Sequence, residues 1–175
     1  DATQISEQMV FEVCDMVQHL YPKLEVRRLT NLMELFQDYH FSHLHDVCLY
    51  SDAITTLKFI VEQQAFVAIA TSASRVSLER ELTYTDLSKY IYAFRTPDQT
   101  LMKPAPDMLL ELMEQFACQA DETLMVGDSS CDFEAAQHAG VDFVGVHISD
   151  PVLIEQIEQA NHCVLPNLNA LTAIL

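Results

Sequence analysis

The sequence predicts an α/β fold, in which helices cover both faces of a parallel sheet, with a helical segment in front of it. After about residue 50, short apolar runs alternate with helical patterns, which is typical of βαβ units. Before it, apolar residues recur at spacings of three and four, with no strand-like run. We therefore expect a helical cap at residues 1–49 and an α/β core at residues 50–175.

The N-terminal part predicts helices only. An apolar stripe from residue 5 to residue 20 ends at Tyr21-Pro22, because proline cannot continue a helix. Residues 26–48 continue the helical pattern, and a further helix is expected at residues 52–63. This segment is where a cap on the sheet would lie.

Strands and helices alternate from residue 65 onwards. Ala65–Thr71 is a continuous apolar run that ends in hydroxyls, which favours a buried parallel strand. The remaining strands are expected at residues 90–94, 123–126, 143–146 and 163–165, and the helices between them at residues 75–83, 106–116, 131–139 and 151–160.

Composition and charge exclude several classes of protein. The chain has 26 acidic and 9 basic residues, and its formal net charge of -17 repels nucleic acids and anionic membranes. An apolar content of 50% is too high for a disordered chain. No apolar run approaches the roughly 20 residues that span a bilayer. The five scattered cysteines form no C-x-x-C pair, so we expect a reducing, cytoplasmic location.

The strongest chemical signal is the segment Leu124–Val141. A strand is expected to end at Val126, and Gly127 then lets the chain turn where a side chain would obstruct a ligand. Asp128 and Asp132 follow at the carboxyl end of that strand, the edge where α/β sheets bind ligands. Two such carboxylates favour Mg²⁺; the alternative is that they cap and stabilise the next helix.

Two further positions are candidates for phosphate contacts. Thr71 and Ser72 follow the most apolar strand, where hydroxyls and backbone N–H groups can hold phosphate oxygens, although Ser72 or Ser74 would equally serve as a helix cap. Lys103 precedes two prolines that stiffen its loop, although a lysine in that setting is usually solvated. The three signals occur on successive strand–helix units, which favours one shared site.

Two other groups carry weaker signals. His40, His43 and His45 lie close together in sequence, but their spacing favours solvated side chains over a metal site. Cys131 begins a predicted helix, whose dipole would lower the pKa of its thiol, but no partner histidine accompanies it.

The three signals together resemble the haloacid dehalogenase superfamily of hydrolases, in its phosphoglycolate phosphatase-like branch. The likeness covers roughly residues 50–175. Its elements are, in order, Ala68–Arg75, Lys103–Asp107 and Val126–Asp132, the last followed by Ala135-Ala136 and Ala139–Val141. The last element is highly specific for the family, the second fairly specific and the first weak.

The resemblance implies a Rossmann-like fold and phosphoryl transfer through an aspartyl-phosphate. It implies that Asp128 binds Mg²⁺ and that Thr71, beside Ser72, holds the phosphate. It also implies that Lys103 neutralises phosphate charge, and that Asp132 orients Lys103 and the water molecules of the metal.

One departure from the family is large. Its first motif, an apolar strand followed by Asp-x-Asp-Gly-Thr, supplies the nucleophile and the general acid, and nothing in this chain matches it. Asp1 resembles the acid that follows a few residues after that motif. In the family this strand lies between the strands that here end at Thr71 and Val126. We therefore expect a longer natural protein that contains it; the alternative is a divergent fold that has lost the reaction.

The sequence thus predicts a Mg²⁺-dependent phosphatase that acts on a small phosphorylated metabolite, without nucleic-acid or membrane partners. One alternative is a metal-independent 2-haloacid dehalogenase, which has no use for the acidic pair Asp128 and Asp132. The other is a noncatalytic binding or regulatory module that keeps the scaffold without the nucleophile. The particular substrate and the oligomeric state stay open.

Overall fold

The computed structural model describes residues 48–175 throughout and, before them, residues 21–23, 25, 27, 28, 31, 32, 35, 38, 39, 42 and 43. The chain divides into two compact units, Asp1–Cys48 and Leu49–Leu175. In the first unit, every described residue from Arg27 to Ser42 is helical. The helix predicted at residues 5–20 lies outside the described residues. The assignment of residues 1–49 as a cap stays a prediction.

The second unit alternates helices and strands, as predicted. In chain order its elements are α1 (Ala53–Glu62), β1 (Ala68–Ala70), α2 (Arg75–Tyr84), β2 (Ala93–Arg95), α3 (Asp107–Phe116), β3 (Leu124–Gly127), α4 (Ser130–Ala139), β4 (Asp142–Val146), α5 (Pro151–Gln159) and β5 (Cys163–Leu165). Short 3₁₀ segments at Leu87–Lys89, Ala120–Glu122 and Leu168–Ala173 were not predicted. No helix among the described residues is both long and apolar enough to cross a membrane.

Helix boundaries follow from local chemistry. The Ser74 side chain begins α2 by accepting a hydrogen bond from the Ser77 amide at 3.3 Å, so the capping alternative for this serine is confirmed. The Asp150 carboxylate begins α5 by accepting from the Val152 amide at 2.9 Å. Helix α4 ends at Gly140, whose φ of 71° lies in the left-handed region that glycine adopts most readily.

The described strands pair in parallel, which confirms the α/β fold. Strand β1 pairs with β2, and Ile69 lies opposite Phe94. Strands β3, β4 and β5 pair in that order, and Gly127 lies opposite Gly145. The two groups of strands are separate, because no strand in the described part of the chain pairs with both β1 and β3. This arrangement is compatible with the expected additional strand, which stays a prediction.

Burial differs between the two groups of strands. Phe143 to Val146 of β4, which has neighbours on both sides, are buried. The three residues of β1 are only half-buried, so the expectation of a fully buried strand was wrong. The reason is that β1 has β2 as its one described strand neighbour.

Helix α4 is held by small residues. Ala135 and Ala136 are fully buried and pack in one core cluster with Phe133, Phe143 and Ile157. Alanine lets the helix approach the sheet closely, and α4 contacts both β3 and β4.

Gly140 provides a test of the helix end. A Cβ atom at Gly140 would meet nothing within 4 Å, so the cost of Gly140→Ala is the left-handed backbone alone. We expect Gly140→Ala to lower the free energy of unfolding by about 1 kcal/mol, and Gly140→Asn by less, because asparagine tolerates this conformation. Urea unfolding measures both, and equal stability of the alanine variant and wild type would contradict the analysis.

Candidate active site

Lys103 lies at the centre of the candidate site. It belongs to the loop between β2 and α3, and its side chain is 9% exposed. The ammonium donates to the Ala70 carbonyl oxygen at 2.7 Å and to Asp132 Oδ1 at 2.5 Å. Lys103 therefore joins the carboxyl end of β1 to the first turn of α4. The alternative of a solvated lysine is wrong, because the ammonium has two fixed acceptors inside the protein.

Asp132 has both carboxylate oxygens occupied. Oδ1 accepts from Lys103, while Oδ2 accepts from the amides of Asp128 at 3.3 Å and Ser129 at 3.2 Å. Oδ2 also accepts from the Ser129 hydroxyl at 2.7 Å. The Ser129 oxygen in turn accepts from the Asp132 amide, which completes a capping box at the start of α4. Asp132 is thus a first-turn acid, as the capping alternative predicted, but the cap residue is Ser129 and not Asp128.

Asp128 is placed differently. It follows Gly127 at the end of β3 and is exposed. Within residues 48–175, which the structure describes throughout, its carboxylate makes no hydrogen bond or ion pair. The two acids of the motif are therefore not equivalent: one is buried and fully bonded, and the other is free to bind a ligand.

Gly127 is required by a neighbouring side chain. A Cβ atom at this position would lie 2.5 Å from the Cβ of Asp132 and 2.7 Å from its Oδ2. This steric requirement was missed from the sequence, and the expectation that the glycine also makes room for a ligand stays a prediction.

Thr71 and Ser72 follow β1 at the same edge as Lys103. Thr71 Oγ1 accepts from the Ala73 amide at 3.0 Å, which leaves its O–H free to donate. Ser72 is exposed. The start of α2 is partly occupied by the protein itself, because Asp98 accepts from the Arg75 amide at 2.6 Å. Free donors at this edge therefore come from Thr71 and Ser72 and not from the first amide of α2.

Two contacts of the site were missed from the sequence. The Ser129-x-x-Asp132 spacing is a capping-box pattern and would have identified Ser129. His138 Nδ1 lies 3.0 Å from the Pro104 carbonyl oxygen, next to Lys103. No local pattern signals this contact, because the two residues are 34 positions apart in sequence.

The structure describes two of the four weaker candidates, Cys131 and His43. Burial raises the pKa of the Cys131 thiol, and the nearby Glu134 and Asp132 charges raise it further, so the expected lowering of this pKa is not observed. His40 and His45 lie outside the described residues. His43 stacks on the Tyr39 ring, with the ring centroids 3.9 Å apart.

Parallel strands covered by helices, with a buried lysine–aspartate pair at the carboxyl ends of the strands, define the class of this chain as an α/β protein. The sequence profile of haloacid dehalogenase-like hydrolases matches residues 1–146. The chain belongs to this family.

Known proteins similar to this chain agree with that assignment. Pyrophosphatase PpaX of Bacillus mycoides (strain KBAB4) is 26% identical over 129 residues, which are 72% of this chain and 60% of that protein. The chain therefore spans about 60% of the length of this relative.

Solved structures show the same fold. A haloacid dehalogenase-like protein from Bacteroides fragilis is 20% identical and has a TM-score of 0.81, over 98% of this chain and 82% of that one. A structure from Lactobacillus plantarum, provisionally named phosphoglycolate phosphatase, is 19% identical and has a TM-score of 0.76, over 100% of this chain and 83% of that one.

The close approach of Gly127 to Asp132 leads to a prediction. In Gly127→Ala the new methyl group must displace a carboxylate held by four hydrogen bonds, so we expect the free energy of unfolding to fall by about 2 kcal/mol or more. Urea unfolding measures the loss. Gly140→Ala is the matched control, since its methyl group meets no atom. A loss at position 127 no larger than the control's would refute the steric argument.

Proposed function

We propose that this protein is a Mg²⁺-dependent phosphatase that acts on a small phosphorylated substrate through an aspartyl-phosphate. The observation that carries the proposal is the buried Lys103 ammonium, which Asp132 and Ala70 hold at the carboxyl edge of the strands. The chain contains no match to the family motif that supplies the nucleophile, so the attacking carboxylate is assigned to none of its residues.

Lys103 is suited to stabilise phosphoryl charge. An ammonium has three N–H donors, and two of them are used by Ala70 and Asp132. The third has no acceptor in the part of the chain that the structure describes. Because the other two bonds fix the nitrogen, the third donor needs little reorganisation when charge develops on a phosphate oxygen. Lys103 is therefore proposed as a catalytic residue that binds phosphate.

Asp128 is the proposed ligand of Mg²⁺. The described residues contain no group of three or more His, Cys, Asp or Glu side chains that would enclose a metal. Magnesium is commonly held by one or two carboxylates together with waters and substrate phosphate, so a single exposed carboxylate fits it. When bound, Mg²⁺ supplies neutralisation of the phosphate charge. Asp132 is buried and both of its oxygens accept from the protein, so its proposed role is to orient Lys103 and to hold the backbone at Asp128.

Thr71 and Ser72 are proposed to complete the phosphate site. The Thr71 oxygen accepts from the Ala73 amide, and its hydroxyl hydrogen has no acceptor within residues 48–175. Thr71 directly follows Ala70, whose carbonyl holds Lys103, so both donors stand at the same strand end.

The substrate class is supported by a relative. The Bacillus mycoides protein is named a pyrophosphatase, which supports a phosphate ester or anhydride as substrate. The described cysteines, Cys48, Cys118, Cys131 and Cys163, are free thiols, which supports a reducing, cytoplasmic location.

The lysine provides the first test of the proposal. Lys103→Met should lower kcat at least about a hundredfold, about 2.7 kcal/mol, because one preorganised charge is lost from the transition state. Hydrolysis of p-nitrophenyl phosphate measures it. Lys89→Met, which removes an exposed lysine paired with Asp86, is the matched control.

Removing Lys103 also leaves Asp132 buried without its counterion, so circular dichroism and urea unfolding must accompany the kinetics. Lys103→Arg keeps the charge and is the second variant. If Lys103→Met folds and raises KM alone, Lys103 is a binding residue and its catalytic role is wrong.

The aspartate provides the second test. Asp128→Asn removes one negative charge from a side chain with no described partner, so the fold should persist. We expect loss of Mg²⁺-dependent hydrolysis, with at least about a tenfold rise in the Mg²⁺ dissociation constant measured by calorimetry. Asp142→Asn, an exposed aspartate at the amino end of β4, is the control. Unchanged Mg²⁺ affinity and activity in Asp128→Asn would overturn the metal assignment.

A further inference from the structure

The loop that carries Lys103 has few backbone anchors. Residues 101–105 turn through a hydrogen bond from the Ala105 amide to the Met102 carbonyl at 3.0 Å, which lies within the loop. Pro104 has no N–H to donate. In the described part of the chain, the Pro104 carbonyl is the backbone group of this loop that bonds another element, and its partner is His138 of α4.

The contact with Pro104 determines which ring nitrogen of His138 carries a proton. A carbonyl oxygen only accepts, so Nδ1 of His138 carries the proton and donates across 3.0 Å. The protonated ring and one neutral tautomer both have this N–H, so the hydrogen bond does not require a charged histidine. Its role here is therefore that of a fixed donor.

Helix α4 holds the lysine loop at two points. In its first turn, Asp132 accepts from the Lys103 ammonium, and in its last turn, His138 donates to the neighbouring Pro104 carbonyl. Ala135 and Ala136, between these two residues, are fully buried in the core. One helix thus holds both the Lys103 ammonium and the backbone of the next residue, Pro104.

We propose that His138 is a positioning residue for Lys103. The inference rests on the proposed phosphatase function for its kinetic consequence, but not for its geometry. A lysine side chain has four rotatable bonds, so the position of its ammonium depends on how firmly its backbone is held. Without the His138 bond, Lys103 keeps Asp132 and Ala70 as partners, while the loop beneath it moves more freely.

The test uses variants that separate the donor from the bulk of the side chain. His138→Phe keeps an aromatic ring and removes the N–H. His138→Asn places an amide N–H at the same number of bonds from the backbone as Nδ1, so it should restore the bond. Gln137→Phe is the matched control, because Gln137 is the preceding exposed residue of the same helix.

Two readouts are measured in each variant of the intact protein. The first is steady-state hydrolysis of p-nitrophenyl phosphate. We expect His138→Phe to lower kcat about tenfold with KM little changed, and His138→Asn to stay near wild type.

The second readout is hydrogen exchange of the Ala105 amide, with the Leu109 amide of α3 as reference. We expect His138→Phe to speed Ala105 exchange about tenfold, and His138→Asn to reverse that change.

The outcomes distinguish the positioning role of His138 from the proposed phosphatase function. Unchanged Ala105 exchange in His138→Phe, or failure of His138→Asn to restore it, overturns the positioning role whatever the activity. Faster exchange with an unchanged kcat also overturns it, since Lys103 then does not depend on the bond. If wild type shows no phosphatase activity while exchange behaves as expected, the proposed function fails and the His138 contact with the loop stands.

Discussion

The buried carboxylate of Asp132 is the constraint on which the rest of the site depends. Desolvating an ion pair costs several kcal/mol per ion, and further hydrogen bonds to each ion offset part of that cost. Here Oδ1 meets the Lys103 ammonium, and Oδ2 meets two amides and a hydroxyl. These bonds join the β2–α3 loop to the β3–α4 turn, and the bond from Lys103 to the Ala70 carbonyl adds the end of β1.

This constraint explains features that seem unrelated in the sequence. Gly127 has no side chain because Asp132 fills the space beside it. Ser129 caps α4 because its hydroxyl completes the bonding of Oδ2. Asp128 stays exposed because the turn is held by its amide and not by its carboxylate. The two acids of the motif therefore have different roles. Asp132 holds the site together, and the Asp128 carboxylate remains available to a ligand.

The sequence predicted the fold where the pattern is local. The strands predicted at residues 163–165 and 123–126 are observed at Cys163–Leu165 and Leu124–Gly127. The half-burial of β1 was not predictable, since it depends on which strands flank it. The contact between Lys103 and Asp132, which only the family resemblance implied, is present in the structure. The contact of His138 with the Lys103 loop was not predicted from the sequence, because it depends on how α4 packs.

Charge balance at the site bears on the proposed cofactor. The whole chain has a formal net charge of -17, which opposes long-range attraction of a phosphate by the protein. Locally, the Lys103 charge is matched by Asp132, and Asp128 adds one further negative charge. A phosphate group entering this arrangement meets a net repulsion, which grows stronger as water is excluded. A divalent cation at Asp128 reverses that sign, so the electrostatics of the described residues favour a metal-dependent reaction over a metal-free one.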